Sequence, residues 1–220
     1  MQKHLGKLIN ISIVLMTCSI TMANDQFDPP KLLKMGKKLL NSDPVKAVSF
    51  LERAYLVRYP KADIQKGVFK AFHAACNTAL KNKNYKQLSQ IVDKALKLGL
   101  PKSHTFTVYL MMSSHDKGDY NRCIDHANLI LKKDKNNDEA LFFRGKSRSK
   151  LKSYKKAIQD LQQISSNFDS VGRRNSLVLL GEAYYHRGDF DLAISNLKAA
   201  QNMKASNDVD KFLKKVENDK

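Results

Sequence analysis

The feature that most constrains this chain is a recurrence. An aromatic residue opens a helix-like apolar stretch at Tyr85, Tyr120, Tyr154 and Phe190, in steps of 35, 34 and 36 residues. Asn84, Asp119, Ser153 and Asp189 stand immediately before it, and all four are residue types that cap helix N-termini. Three positions after the aromatic comes a small residue in three copies, Cys123, Ala157 and Ala193, with Leu88 in the earliest. A period this short cannot enclose a core of its own. It requires a row of like units, each burying its apolar face on its neighbours.

The last copy displays the whole unit. Leu177, Leu180, Gly181 and Tyr184 fall at i, i+3, i+4 and i+7, one face of a helix. Phe190, Ala193, Ile194 and Leu197 repeat that spacing. Between them Gly188 can take the left-handed conformation that ends a helix, and Asp189 is expected to cap the next one through its carboxylate. Gly181 and Ala193 are small where the two helices should cross, so their backbones can approach closely.

Leu177, Leu180-Gly181, Tyr184, Gly188, Phe190, Ala193 and Ala200 together resemble a tetratricopeptide repeat. The resemblance implies an all-α fold, a right-handed α-solenoid of about five helix-turn-helix repeats closed by a C-terminal capping helix. The repeats fall near residues 31–61, 66–101, 104–137, 138–171 and 174–206. The cap falls at 207–217, with Val209, Phe212, Leu213 and Val216 on one face. The first repeat is degenerate: Asp43-Pro44 starts its second helix, Ala47, Val48, Leu51 and Ala54 follow, and Pro44 lies 41 residues before Tyr85.

Residues 1–23 read as an export signal outside the fold, followed by a polar leader at 24–30 and the repeat array at 31–220. Lys3 and Lys7 precede an apolar run from Leu8 to Met16, and Thr21-Met22-Ala23 offers small residues for cleavage before Asn24. Two alternatives stay open. Leu15-Met16-Thr17-Cys18 resembles a lipoprotein box with Thr in place of its usual small residue, and an uncleaved segment would act as an anchor.

The full chain carries a net charge of +18, and loss of Lys3 and Lys7 with the signal leaves +16. Such a surface is self-repelling and drawn to anions. An anionic membrane surface is therefore a candidate contact beside the expected protein partner. Nucleic acid is the weaker candidate, because an exported chain seldom meets it and the helical repeats that read RNA have another consensus.

No motif in the chain carries chemistry. Ala140–Ser147 matches a relaxed phosphate-loop pattern, but two phenylalanines fill the loop and no strand precedes it. His73-x-x-Cys76 and Cys123-x-x-His126 have helical ligand spacing, yet Cys76 and Cys123 occupy small-residue positions of different repeats and read as buried thiols. Gly-x-Ser-x-Gly, His-Glu-x-x-His and an inward pair of carboxylates are absent from the pattern. The expectation is a non-enzymatic chain with no cofactor and no metal.

The resemblance also implies a binding face. In tetratricopeptide repeats the first helices line a concave groove that holds a peptide or helix, through positions one and five after the opening large residue. Here those positions are His73 and Asn77, Val108 and Met112, Phe142 and Lys146, Val178 and Glu182, with Tyr185 added in the last repeat. Val108, Val178 and Glu182 do not fit a clamp for a carboxylate tail. The set is expected to hold an amphipathic or apolar segment of an envelope or secreted protein, anchored by Phe142 and Tyr185. The mature chain is expected to begin at Asn24, which the intact mass of the exported protein reads directly; acylated Cys18 or a retained Met1 is the contrary result.

Overall fold

The computed structural model describes residues 28–56, 62–99 and 103–220. The expected export signal at 1–23 and the first residues of the expected leader lie outside the described residues. The described residues form eleven α-helices and no strand. They are α1 (Pro29–Leu39), α2 (Pro44–Leu56), α3 (Ala62–Lys81), α4 (Tyr85–Lys97), α5 (His104–Asp116) and α6 (Tyr120–Leu131). There follow α7 (Asp138–Lys150), α8 (Tyr154–Gln162), α9 (Ser170–Arg187), α10 (Phe190–Met203) and α11 (Asn207–Asp219). The chain divides into two compact units, residues 1–100 and 101–220.

In the first unit α1 and α2 form one pair and α3 and α4 the next, with α1 also touching α3 and α2 touching α4. In the second unit α5–α6, α7–α8 and α9–α10 are the pairs, and α5, α7 and α9 stand side by side as first helices. The helix α11 packs on α10 through Val209, Leu213 and Val216.

One contact recurs inside the pairs. A Cβ added at Gly181 would lie 2.6 Å from Leu197 Cγ and 3.3 Å from the Ala193 carbonyl oxygen. At Gly145 it would lie 2.8 Å from Leu161 Cγ and 3.3 Å from the Ala157 oxygen. At Gly36 it would lie 2.8 Å from Leu51 Cγ and 3.2 Å from the Ala47 oxygen. Thus a glycine on the first helix receives a leucine, and an alanine four residues earlier lets the backbones close. The first repeat, degenerate in its spacing, has the same device. In the third repeat the corresponding positions hold Met111, Cys123 and Ala127, all fully buried. Its large residue has moved to the first helix and its small one to the second, which keeps the volume at the crossing nearly constant.

The turns inside four pairs share a left-handed residue two positions before the aromatic: Lys83, Gly118, Lys152 and Gly188, with φ of +52°, +76°, +58° and +82°. Two of the expected caps bond through their side chains and two do not. Asn84 Oδ1 accepts the Gln87 amide at 3.0 Å and Asp119 Oδ1 the Arg122 amide at 3.2 Å. Ser153 and Asp189 occupy the cap position without a side-chain cap bond. The Asp189 carboxylate turns instead to Arg187, with Nε 3.2 Å from Oδ2. A guanidinium within reach competes with a backbone amide for the same oxygen.

Three first helices start differently from the periodicity. Pro29 and Pro30, expected in the leader, form the first turn of α1, where a missing N–H costs nothing. The helix α3 begins at Ala62 rather than residue 66. The helix α9 begins at Ser170 rather than 174, because Asp169 Oδ1 accepts the amides of Val171 and Gly172 at 3.1 and 3.0 Å.

Asp160 is a carboxylate that the periodicity does not mark as buried. It is 1% exposed on α8. Arg144 donates to it from Nη2 at 2.7 Å and Nε at 3.1 Å, and Arg148 from Nη1 at 2.6 Å. Arg144 Nη1 also reaches Asn128 Oδ1 at 2.7 Å, tying α6 to α7 and α8. Removing one partner from such a buried cluster leaves an uncompensated charge, whereas the intact cluster is near balance between desolvation and attraction.

Gly181→Leu is expected to lower the free energy of unfolding more than Gly188→Ala in denaturant melts. The first forces α9 and α10 apart, about 1–3 kcal/mol by overpacking. The second meets open space and carries only left-handed strain, about 1 kcal/mol. The reverse order would remove Gly181 from the helix contact.

Candidate functional site

The first-helix face of the second unit collects most of the expected binding residues. Helix periodicity places Val108 and Met112 on α5, Phe142 and Lys146 on α7, and Val178, Glu182 and Tyr185 on α9. His73 and Asn77 lie on α3 in the other unit. His73 is half-buried with its ring edge-on to Phe69 at 4.4 Å, and burial lowers its pKa; Asn77 is exposed.

Within the second unit the seven residues have different surroundings. Met112 is 5% exposed and belongs to the core, while Val108 and Val178 are half-buried. Phe142 is half-buried, at 5.5 Å from the Phe143 ring and 6.0 Å from Phe168. Lys146 Nζ lies 5.9 Å from the Phe142 ring centroid, within cation–π range.

Lys146 and Glu182 are half-buried charges on neighbouring first helices. Burial holds the Lys146 ammonium below its ordinary pKa, and Lys150 adds to the effect; Asp116 and Glu182 oppose it. Burial raises the Glu182 carboxyl, against the nearby positive charges of Lys150, His186 and Lys146. Among the described residues neither side chain makes a hydrogen bond or an ion pair of its own. Partly desolvated charges left without a direct partner are a common mark of a binding face.

Tyr185 is engaged differently. Its hydroxyl donates to Asp219 Oδ2 at 2.6 Å, its ring meets Phe212 edge-on at 5.4 Å, and Lys215 Nζ stands 5.1 Å from its centroid. All three partners belong to α11. The capping helix therefore occupies the side of α9 that Tyr185 presents. The periodicity of 207–217 gave the apolar face of this helix, but nothing local in it encodes the Tyr185–Asp219 pairing.

Sequence spacing also passed over a half-buried histidine paired with a buried serine behind this face. His115 Nδ1 lies 3.0 Å from Ser147 Oγ, and the imidazole packs against Tyr120 and Phe143 at 5.4 and 5.6 Å. Burial pushes its pKa from 6.5 down to about 4, and Lys146 and Lys150 push it the same way. Cys123 donates a weak bond to the Phe143 carbonyl at 3.8 Å, and burial raises its thiol to about 11. Cys76 lies in the first unit, with its thiol raised to about 12 by burial. Both thiols are buried and free, and a neutral thiol is a poor nucleophile and metal ligand. Residues Ala140–Ser147 run inside α7, so the phosphate-loop resemblance has no loop to act through.

No protein-family model matches the chain, and no curated protein matches it in sequence. Solved structures do. YrrB, a TPR protein with an unusual peptide-binding site, aligns at 14% identity over 90% of this chain and 97% of its own, with a TM-score of 0.61. A Podosopora anserina protein of nearly identical TPR-like repeats aligns at 14% identity over 80% of this chain and 94% of its own, with a TM-score of 0.51. The chain has the tetratricopeptide-repeat fold. MamA from Desulfovibrio magneticus RS-1 aligns at 18% identity over 62% of this chain and 75% of its own, with a TM-score of 0.50. In this fold the glycine–leucine crossings set the distance between first and second helices. Side-by-side first helices then bring Phe142, Lys146, Val178 and Glu182 onto one face.

His115 gives this region a pH signature. Its folded pKa is depressed, so the unfolded chain takes up the proton first. Its contribution to stability is present above about 6.5 and is lost as pH falls toward about 4. With allowance for partial exposure the loss is of order 2 kcal/mol. His115→Gln is expected to flatten the stability–pH curve over that window in urea melts. An unchanged slope would show that His115 does not titrate there.

Proposed function

We propose that this chain is an exported, non-enzymatic adaptor whose second unit holds a segment of another protein on its first-helix face. The observation that carries this reading is the pair Lys146 and Glu182, half-buried, shifted toward neutrality and, among the described residues, without a hydrogen bond or ion pair, beside the apolar Phe142 and Val178. A bound segment would supply what the face lacks: apolar surface over Phe142 and Val178, and polar groups of both signs for the flanking charges. The fold supports a scaffold role, and YrrB, which shares it, has a peptide-binding site. Tyr185, expected as the second anchor, is taken up by α11, so Phe142 is the single aromatic anchor of the proposal. His73 and Asn77 are proposed as a separate contribution from the first unit. Export rests on the order of charge, apolar run and small residues in 1–23, and an envelope or secreted partner follows from it.

The exchange Lys146→Glu with Glu182→Lys keeps net charge and composition while reversing the local field. In pull-downs from envelope extracts with the full chain, partner capture is expected to fall at least about tenfold, near 1.4 kcal/mol, with the melting midpoint little changed. Tyr185→Phe, which loses only the Asp219 bond, is expected to keep capture. Full capture by the exchanged protein would move the interaction surface elsewhere.

A further inference from the structure

The first unit also carries a charged surface of its own. Antiparallel pairing brings the C-terminal ends of α1 and α3 and the N-terminal ends of α2 and α4 to one edge. Lys37 and Lys38 end α1, Lys46 lies in the first turn of α2, Lys81 ends α3, and Lys83 and Lys86 flank the start of α4. All six are exposed, and none is drawn into an ion pair among the described residues. Most carboxylates of the unit's described residues lie elsewhere. Asp28 is at the opposite end of α1, Glu52 is paired with Lys94 at 3.2 Å, and Asp93 is more than two turns into α4. Among the described residues only Asp43 shares the edge, and its Oδ1 accepts the Lys46 amide at 2.9 Å. Six lysines therefore face solvent against one carboxylate. Between Lys83 and Lys86 stands Tyr85, 38% exposed.

We propose that this lysine edge docks the first unit on an anionic lipid bilayer, with Tyr85 at the headgroup level. The chemistry separates a bilayer from a nucleic acid. Every cation on the edge is lysine, a compact point charge suited to diffuse surface charge. The planar, bidentate fork of arginine that phosphate-by-phosphate recognition favours is missing from it. A row of exposed helix turns presents its charges along one edge, as a flat surface requires, and each lysine near anionic headgroups adds to the attraction. An amphipathic aromatic among cations is the residue type that settles at the membrane–water boundary. The edge also belongs to the unit that directly follows the N-terminal apolar run, the segment read as export signal or anchor.

The test compares partition of the full chain into vesicles of equal parts phosphatidylglycerol and phosphatidylcholine with partition into phosphatidylcholine alone. The anionic-to-neutral ratio removes any contribution of the N-terminal apolar segment. Lys37, Lys38, Lys81 and Lys86, all changed to Gln, are expected to lower that ratio at least about a hundredfold, with unchanged circular dichroism. Gln at Lys133, Lys135, Lys155 and Lys156 removes the same charge from the second unit and is expected to lower it less than about threefold. The chain has no tryptophan, so Tyr85→Trp gives a single fluorescent reporter whose emission should shift to the blue with anionic vesicles only. Equal loss in the two lysine sets would reduce the effect to net charge and overturn the proposal. So would an unshifted Tyr85→Trp emission, or tighter edge-dependent binding to single-stranded DNA than to vesicles at equal phosphate.

Discussion

The close approach of first and second helices within a pair is the contact on which the rest of this structure depends. At Gly36, Gly145 and Gly181 the first helix has no side chain, and a leucine of the second helix fills the space. Any Cβ there would press on a leucine Cγ and on a backbone carbonyl. Backbone atoms cannot give way as a flexible side chain can, so the spacing is fixed by steric contact rather than by attraction alone. The pair spacing then sets where the next first helix can lie, and through it which residues of α5, α7 and α9 become neighbours.

Polar chemistry is arranged around that steric frame. Asp160 with Arg144 and Arg148 secures α7 to α8 on the side away from the binding face, and Asn128 extends the cluster to α6. His115 and Ser147 do the same more weakly between α5 and α7. Asp138 anchors the loop after α8 by accepting from the Ser165 amide at 2.8 Å and its hydroxyl at 2.5 Å. These groups satisfy one another. Lys146 and Glu182 do not, although they lie on the same helices, and that contrast separates the structural charges from the candidate binding charges.

The two units divide the proposed work. The second presents a mixed apolar and charged face suited to a protein segment. The first presents a lysine edge suited to an anionic surface. Neither proposal needs the other, because they rest on different physics: desolvation for the protein-binding face, long-range and salt-sensitive attraction for the lysine edge.

The sequence by itself determined the all-helical repeat architecture. Its period near 35 residues, its aromatic helix starts and its glycine and alanine at the crossings are local signals, and each acts within one helix pair. It determined also which positions share a helical face, so Phe142, Lys146, Val178 and Glu182 were legible as neighbours. Tertiary structure decided what covers those positions. Met112 is core because α6 and α7 close over α5, and Tyr185 is engaged because Asp219, 34 residues on, comes back to it. Asp160 is buried because two arginines of the preceding helix meet it, and the Asp189 carboxylate lies beside Arg187 instead of capping α10. Periodicity reports the direction in which a side chain points. Burial, pairing and the fate of a charge depend on groups brought from elsewhere in the chain, and only the packed helices supply those.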